Sequence, residues 1–198
     1  LHWSTDISGG TSWALEGDPG APGAVFATTT QGTHAFLARL APNGGITWER
    51  DLFLSSKEIK PDRVACSAAS GLLFVGGRAT SPSSSPAWAM QSVVHAVDAA
   101  TGNAAWTWFG PTQGAAWGVS KDQQNTLAVD PTGGAVYLGD VVPSENADLR
   151  IHALAAQTGA ANGTWTAGAH NSAYQRAADL ELSSEESRCF IAGLSDAA

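Results

Sequence analysis

The sequence predicts an all-β protein built from a repeated unit of four short strands. Turn glycines recur with spacings of 58 and 57 residues, at Gly44, Gly102 and Gly159. Tryptophans recur with spacings of 58 and 59 residues, at Trp48, Trp106 and Trp165. A fixed period of this size indicates a repeat architecture. No window of about eleven residues shows helical periodicity, because Gly or Pro interrupts nearly everywhere.

Each unit contains four segments that are typical of strands. An aromatic segment occurs in four copies, at 24–29, 72–77, 135–140 and 189–194. Another apolar segment precedes each copy, at 12–17, 63–68, 126–131 and 178–183. Turn residues such as "PTGG" (131–134) favour a tight hairpin between the two. The remaining two segments flank the turn glycine, and all four are rich in Val, Trp, Phe and Thr.

Four strands in a unit of about 55–60 residues predict the blade of a β-propeller, in which radial sheets cover one another's faces. We name the strands a to d from the axis outward, so that the aromatic segment is strand b and the Trp segment is strand d. We expect equivalent positions for the aromatic residues of strand b, namely Phe26, Phe74, Tyr137 and Phe190. The same is expected of the three repeat tryptophans.

The two ends of the chain fall at different places in the repeat. Residues 1–10 match the end of a d strand, with Trp3 in the place of the repeat Trp, and the last segments are strands a and b of a fourth unit. The sequence thus predicts about fifteen strands in about four four-stranded antiparallel blades, the terminal one incomplete. We interpret 1–198 as a single repeat domain, an excerpt of a longer propeller or an open arc, in preference to a closed four-blade ring.

The hairpin "HAVDAATGNAAWTW" (95–108) resembles the PQQ-like propeller repeat, which places an Ala-x-Asp-x-x-Thr-Gly turn three or four residues before a Trp. The stretch "AFLARLAPNGGITW" (35–48) is more similar to related bacterial propeller repeats of the YVTN and WD40-like kind. In 150–165, Ala155 replaces the Asp and two extra residues precede Trp165. The resemblance implies the fold, whereas function depends on the site that a fold carries.

Charge and hydropathy exclude several classes of partner. The formal net charge is −8, with ten scattered Lys and Arg residues, so we expect no nucleic-acid binding, which requires clustered cations. No apolar run is long enough to span a membrane, and no leader peptide is visible at the N-terminus. Cys66 and Cys189 lie in non-adjacent repeats, and we interpret them as packed thiols rather than a disulfide, which leaves the redox compartment open.

The polar residues of the repeat are interpreted as structural. Alignment on the turn glycines places Leu37 opposite His95 and His152, and a position that accepts Leu is a packing position rather than a metal site. We expect Asp98 to accept backbone N–H bonds across its own turn. The acidic residues of 179–186 alternate with leucines, as in a half-exposed strand followed by a solvated turn.

The sequence contains no motif for catalysis or for a cofactor. It has no Gly-x-Ser-x-Gly, Ser-x-x-Lys or phosphate-binding loop. The PQQ-like repeat also occurs in enzymes, the quinoprotein alcohol dehydrogenases, which carry a vicinal Cys-Cys pair and carboxylates around calcium. No Cys-Cys pair occurs in this sequence. We therefore predict no enzyme activity, no metal and no cofactor, with a fragment of a quinoprotein-like enzyme as the alternative.

The segments 81–92, 110–122 and 142–149 are expected on one face of the propeller, and loops on a rigid scaffold are where binding residues tend to lie. Trp88 and Trp117 are the candidate anchors, together with Met90 and Arg78 in or beside the first insertion. A Trp in such a place is more often a lid over its own blade than a ligand anchor, and that alternative stays open here. We predict a scaffold or binding module for a protein or glycan, with the two tryptophans as stacking platforms in the glycan case.

Asn162-Gly163-Thr164 is an N-glycosylation sequon, predicted in an exposed turn between strands c and d. It favours an extracellular or cell-surface location, with the periplasm as the alternative.

Overall fold

The structure is a computed structural model that describes residues 7, 11–31, 34–52, 57–80, 90–113, 125–141, 149–167, 175–183 and 188–195. These residues form fourteen β-strands in four antiparallel sheets. The d strand that the sequence predicts within 1–10 lies outside the described residues, except for Ile7. The prediction of about fifteen short strands in four sheets is confirmed for the fourteen strands that the structure describes.

The first three sheets each contain four strands in chain order. Blade 1 comprises β1 (Thr11–Gly17), β2 (Val25–Gln31), β3 (His34–Leu40) and β4 (Ile46–Asp51). Blade 2 comprises β5 (Glu58–Ser67), β6 (Leu72–Thr80), β7 (Met90–Asp98) and β8 (Ala104–Gln113). Blade 3 comprises β9 (Thr126–Val129), β10 (Ala135–Val141), β11 (Leu149–Ala155) and β12 (Ala161–Ala167). Blade 4 comprises β13 (Gln175–Ser183) and β14 (Arg188–Ser195).

The first strands of the four blades form the inner edge of the assembly. β1 contacts β5, β5 contacts β9, and β9 contacts β13, so successive blades lie side by side around this edge. Strand order within each blade therefore runs outward from it, as predicted for strands a to d. The chain is a partial β-propeller.

Two apolar clusters fill the spaces between successive blades. Between blades 1 and 2 the cluster includes Phe26, Leu37 and Trp48 from one side and Val75 and Val93 from the other. Between blades 2 and 3 an equivalent cluster joins residues of β6 and β7 to residues of β10 and β11. Because blade 2 has a neighbouring blade on each face, its middle strands β6 and β7 are nearly continuous buried runs rather than alternating ones.

Strand a of blade 2 begins at Glu58, five residues before the predicted start at Arg63. The extension includes Pro61, which cannot donate a hydrogen bond to a ladder and is therefore unusual inside a strand. The strand accommodates it beside a β-bulge, in which Pro61 pairs with Gly77 and Arg63 pairs with Gly76. Asp62 is the extra residue of this bulge, and a bulge re-aims the side chain that it carries.

The turn glycines coincide in the c–d turns, as predicted. Gly44, Gly102 and Gly159 have φ values of 84°, 70° and 70°, and left-handed backbone of this kind favours glycine. The turn of blade 1 is one residue shorter: Ala41 N–H bonds to Gly45 O, whereas Asp98 N–H bonds to Asn103 O. The shorter turn shifts the alignment of strand c by one residue.

This shift corrects the predicted position of Leu37. Ala38 of blade 1, not Leu37, occupies the position of His95 and His152, whereas Leu37 lies at the position of Val94. Ala38 is fully buried, so the position remains one of packing. An alignment on glycines cannot detect a turn that has lost one residue before the glycine.

The aromatic residues of strand b are equivalent where the register can be compared. Phe26 pairs with Arg39, Phe74 with Ala96 and Tyr137 with Ala153, which are equivalent positions of strand c. In blade 4, Phe190 pairs with Glu181 of strand a.

The prediction for the tryptophans is only partly right. Trp48 and Trp106 pair with equivalent residues of strand c, Arg39 and Ala96. The equivalent residue of blade 3 is Gly163, and Trp165 follows it by two residues, at the position of Trp108 in blade 2. The two extra residues before Trp165 are therefore not absorbed by the turn; they displace the Trp along strand d.

Candidate functional site

Connections of variable length leave the blades at one edge, which we call the loop edge. It is the edge where β6 and β10 end and β7 and β11 begin. The b–c connections there comprise 32–33, 81–89 and 142–148. The c–d turns at the opposite edge are all short, at 41–45, 99–103 and 156–160. The difference in length is the one that the sequence predicts.

Asp62, Arg78 and Asn125 form a buried polar cluster at the loop edge, which we call the Asp62 cluster. Arg78 donates to both carboxylate oxygens of Asp62, from Nη2 to Oδ1 at 3.0 Å and from Nε to Oδ2 at 3.3 Å. The backbone N–H of Asn125 donates to Oδ2 at 3.0 Å, and its side-chain Nδ2 donates to Gly77 O at 2.7 Å. The cluster therefore joins strands a and b of blade 2 to the entry of blade 3.

A second cluster, the Asp140 cluster, comprises Asp140, Arg150, Ser92 and His152. Arg150 donates through Nε to Oδ1 of Asp140 at 2.9 Å and through Nη2 to Oδ2 at 2.7 Å. Ser92 of blade 2 donates its hydroxyl to Oδ2 at 2.5 Å. The Asp140 side chain is fully buried and that of Arg150 nearly so. The carboxylate thus ties strands b and c of blade 3 to strand c of blade 2.

His152 completes this cluster beneath the indole of Trp108. The ring centroids of Trp108 and His152 are 4.8 Å apart, and Nδ1 lies 3.2 Å from Thr164 Oγ1. Nε2 lies 3.4 Å from Oδ2 of Asp140, without the geometry of a hydrogen bond. His95, the equivalent residue of blade 2, repeats the Thr contact at 2.9 Å, with Thr107.

Burial and pairing shift the acidities of these groups. Burial raises the pKa of Asp62 in spite of the opposing charge of Arg78 and the N–H of Asn125. Burial also acts to raise the pKa of Asp140, but the contacts with His152, Arg150 and Ser92 outweigh it, and that pKa lies below its usual range. Burial lowers the pKa of His95 to about 4, so this ring is neutral at physiological pH.

Both clusters suit the positioning of strand ends better than acid–base chemistry. A general base needs a lone pair directed at its substrate. The two oxygens of Asp62 and of Asp140 already accept bidentate bonds from arginine. Paired arginine and carboxylate groups of this kind fix geometry as well as charge. Within the described residues, no three His, Cys, Asp or Glu side chains are arranged to hold a metal ion.

Of the four predicted binding residues, the structure describes Arg78 and Met90. Trp88 and Trp117 lie outside the described residues. Arg78 lies at the loop edge as expected, but its guanidinium is bound to Asp62 and its side chain is 14% exposed. Met90 is half-buried at the start of β7, where the 81–89 connection ends. Asn162 is exposed, but it lies on β12 beside the c–d turn rather than in the turn.

Asp98 behaves as the sequence predicts. Its Oδ1 accepts bonds from the backbone N–H groups of Ala100 and Thr101, at 3.1 and 2.8 Å, and from the Thr101 hydroxyl at 2.8 Å. The Thr101 hydroxyl, followed by its N–H, lowers the pKa of this carboxyl.

The thiol and the acidic strand of blade 4 fit the structural interpretation where they are described. Burial, with contributions from the Asp18 and Glu16 carboxylates, raises the pKa of the half-buried Cys66 thiol to about 12, and such a thiol is unreactive. In β13, Leu180 is buried and Glu181 exposed. The side chains of Asp179 and Cys189, and residues Glu185 and Glu186, lie outside what the structure describes.

Sequence reasoning missed both clusters. Their members are far apart in the chain: Asp62 and Asn125 are separated by 63 residues, and Ser92 and Asp140 by 48. Asp140 interrupts an otherwise apolar strand b, which is the local signal that could have marked it, because a buried carboxylate requires a partner.

No protein-family model matches this sequence, and no curated protein does. Solved structures that resemble the fold include the quinohemoprotein alcohol dehydrogenase of Comamonas testosteroni, with 18% identity and a TM-score of 0.48 over 87% of this chain and 30% of that one. Raptor of Chaetomium thermophilum has 8% identity and a TM-score of 0.47 over 89% of this chain and 14% of that one.

The Dos1 propeller has 11% identity and a TM-score of 0.45 over 82% of this chain and 37% of that one. This chain thus spans less than two fifths of each of these structures. Among the described residues no helix is long and apolar enough to cross a membrane.

Proposed function

We propose that this chain is a non-catalytic part of a larger β-propeller, which presents its loop edge to a protein or glycan partner in an extracellular or periplasmic assembly. The observation that carries the proposal is the position of the two buried clusters. Arg78 and Ser92 flank the connection 81–89, and Asp140 and Arg150 flank the connection 142–148. Both long connections therefore start and end on strands that are held by buried hydrogen bonds to a carboxylate.

Fixed strand ends support a binding role because they lower the cost of ordering the residues between them. A loop on rigid stems loses less conformational freedom when a partner binds than a loop on mobile ones. Breaking such a buried pair is costly, since the remaining charge is left without a partner. The loop edge thus combines variable segments with a framework that does not change when they change.

Trp88 and Trp117 belong to the connections at this edge, and indole rings are the side chains that most often anchor a protein interface or stack on a sugar. The exposed Asn162 sequon, on the outermost strand of blade 3, supports a secreted or surface location. Because indole rings serve both kinds of partner, the experiment includes proteins and glycans.

The test measures binding of the purified chain to a glycan array and to an extract of secreted proteins from the source organism. The Trp88→Ala/Trp117→Ala double variant is compared with Asn103→Ala/Asn162→Ala, which changes two exposed residues at the opposite edge. Loss of an aromatic anchor costs about 2 kcal/mol, so we expect binding more than tenfold weaker for the tryptophan variant alone. Equal binding by the tryptophan variant, or weaker binding by the control, would contradict the proposal.

The alternative, a fragment of a quinoprotein-like enzyme propeller, predicts binding of the quinone cofactor. Titration of the chain with pyrroloquinoline quinone and Ca²⁺, followed by tryptophan fluorescence, distinguishes the two proposals. Saturable quenching that depends on Ca²⁺ would favour the enzyme fragment, and its absence at micromolar cofactor would favour the binding module.

A further inference from the structure

A single carboxylate holds the stems of both tryptophan-bearing connections at the loop edge. Asn125 is the last residue of the connection 114–125, which joins β8 to β9, and its backbone N–H donates to Oδ2 of Asp62 at 3.0 Å. Arg78, which donates to both oxygens of Asp62, lies on β6, the strand that leads into the connection 81–89. Asp62 thus joins the two stems through its own side chain.

The bulge at Asp62 is a feature of the fold, whereas its carboxylate is particular to blade 2. In blades 1, 2 and 4 one extra residue interrupts strand a at the same place in the ladder with strand b, and these extra residues are Trp13, Asp62 and Ala178. In blade 3, Asn125 occupies this place, because the next residue, Thr126, pairs with Gly139, the equivalent of Gly76. Asp62 therefore bonds to the residue at its own position in the next blade, and it is the ionisable member of the set.

Both oxygens of the Asp62 carboxylate already serve as acceptors. Oδ1 accepts from Nη2 of Arg78, and Oδ2 accepts from Nε of Arg78 and from the N–H of Asn125. Protonation of a carboxylate turns one of its oxygens into a donor. A proton on either oxygen therefore displaces at least one bond from Arg78, and a proton on Oδ2 also displaces Asn125. The remaining bonds weaken, because a charge-assisted hydrogen bond is about twice as strong as a neutral one.

Burial makes Asp62 accept a proton more readily than an ordinary carboxylate. Burial raises its pKa above the usual 3.8, although the charge of Arg78, the N–H of Asn125 and the charge of Arg63 act to lower it. A carboxyl group whose folded pKa is raised adds stability below its unfolded pKa and loses it as the pH rises through the folded pKa. Protonation of Asp62 therefore breaks its local bonds without itself unfolding the chain.

Few charged groups on the strands that pack against β5 act on Asp62. Those that do are Arg78 of β6 and Arg63 of β5 itself. Also on β5, Lys60 is exposed and Glu58 is half-buried at the start of the strand. The neighbouring strands β2 and β9 carry no titratable side chain. Those of β1 and β3 make other contacts: Glu16 acts on the Cys66 thiol, His34 lies 3.5 Å from Asp51, and Arg39 pairs with Asp18.

We propose that Asp62 is a pH-sensitive switch: its carboxylate holds β6 and the entry of β9 together, and its protonation releases them. Release raises the conformational freedom of both stems, so a partner at the loop edge binds more weakly in acid. This consequence for binding rests on the proposed function, whereas the switch is a property of Asp62, Arg78 and Asn125 alone.

An NMR titration of the isotope-labelled full chain tests the switch without any substitution. The amide resonance of Asn125 follows the ionisation of Asp62, and that of Thr101 follows Asp98, to which its N–H donates at 2.8 Å. Burial raises the pKa of Asp62, whereas the Thr101 hydroxyl and N–H lower the pKa of Asp98. The midpoint for Asn125 should therefore lie at the higher pH, and a midpoint at or below that of Thr101 would overturn the proposal.

Amide exchange distinguishes a switch from a purely structural role. Asp62→Asn carries a neutral side chain at every pH, so the protection of the Asn125 amide at neutral pH should fall by about tenfold. The wild type should lose the same protection as the pH falls through the Asn125 midpoint. Asp98→Asn removes an exposed carboxylate at the opposite edge and should leave Asn125 unchanged. Protection that Asp62→Asn loses but that the wild type keeps in acid would overturn the switch. If Asp62→Asn does not fold, the wild-type measurements decide the question alone.

The consequence for binding is measured with the partner that the glycan array or the secreted extract identifies. Between neutral pH and a pH below the Asn125 midpoint, wild-type binding should weaken by about tenfold, and Asp62→Asn should bind with the weaker affinity at both. Equal wild-type affinity at the two pH values would overturn the control of binding by Asp62. A chain that binds neither proteins nor glycans would contradict the proposed function instead, and the titration of Asn125 would still decide the switch.

Discussion

Gly102 offers the sharpest test of how the blades are joined, because two separate constraints act on it. Its φ of 70° lies in the left-handed region, and a Cβ there would lie 2.7 Å from Cδ2 and Cε3 of Trp48. Gly71 provides a matched control: its φ is 69°, and a Cβ added to it meets nothing within 4 Å. Gly71→Ala therefore measures backbone strain alone, and Gly102→Ala measures strain together with the loss of the indole contact.

The expected magnitudes follow from these two constraints. Left-handed backbone costs a residue with a Cβ about 1–2 kcal/mol, and the lower chain entropy of the unfolded Ala variant offsets part of this equally in both. At Gly102 the Cβ also displaces a Trp48 ring that is 7% exposed and that donates to Ala99 O. Overpacking costs about 1–3 kcal/mol and a lost hydrogen bond about 1 kcal/mol. Gly102→Ala should thus cost about 2–4 kcal/mol more than Gly71→Ala.

Urea unfolding followed by far-UV circular dichroism gives the free energies of unfolding. Each glycine substitution is also made in a Trp48→Leu background, which removes the ring atoms that a Cβ at Gly102 would strike. In that background the cost of Gly102→Ala should fall to that of Gly71→Ala. Equal costs in the wild-type background, or a Gly102 cost that Trp48→Leu leaves unchanged, would refute the packing argument.

Three further predictions concern pH, the buried pairs and the loops. His95→Ala, which introduces the residue found in blade 1, should remove a pH dependence of the free energy of unfolding. Because the folded pKa of His95, about 4, lies below the unfolded value of 6.5, the wild type loses up to about 3 kcal/mol of stability as the pH falls from 6.5 to 4. If urea unfolding gave the same change of stability with pH for the variant and the wild type, the prediction would be contradicted. Asp140→Asn should destabilise the chain by about 3 kcal/mol at pH 7, against less than about 1 kcal/mol for the half-exposed Asp51→Asn. Since the folded pKa of Asp140 is depressed, the stability difference between the wild type and Asp140→Asn is complete above the unfolded pKa of about 3.9 and disappears as the pH falls through the folded pKa. A difference in urea midpoints that stays constant with pH would count against this prediction. Trp88→Ala/Trp117→Ala should leave the free energy of unfolding within about 0.5 kcal/mol of the wild-type value. A larger loss of stability in urea unfolding would show that these residues are lids over the blades.

Local pattern was sufficient for the strands and for the turns that join them. Turn glycines at a nearly constant spacing, an Asp98 side chain that caps its own turn and apolar runs of strand length each act within about ten residues. Interactions of that range are read directly from the order of the residues. The propeller prediction rests on them.

The register between repeats was less accessible, because it depends on how each turn closes. A turn shortened by one residue moved the position opposite His95 from Leu37 to Ala38. A Trp displaced by two residues was accommodated because Gly163 leaves room for its ring. Both are side-chain and backbone adjustments that leave the spacing of the glycines nearly unchanged.

By itself, the sequence determined that this chain is all-β, that its unit is a four-stranded blade and that variable connections leave at one edge. Only the tertiary structure decided which polar residues meet there. Asp62 turns toward Arg78 because a bulge re-aims it, and Asp140 meets Ser92 because two blades pack face to face. Such contacts join residues whose separation carries no periodic signal, so they arise only when the packed sheets bring buried charges together.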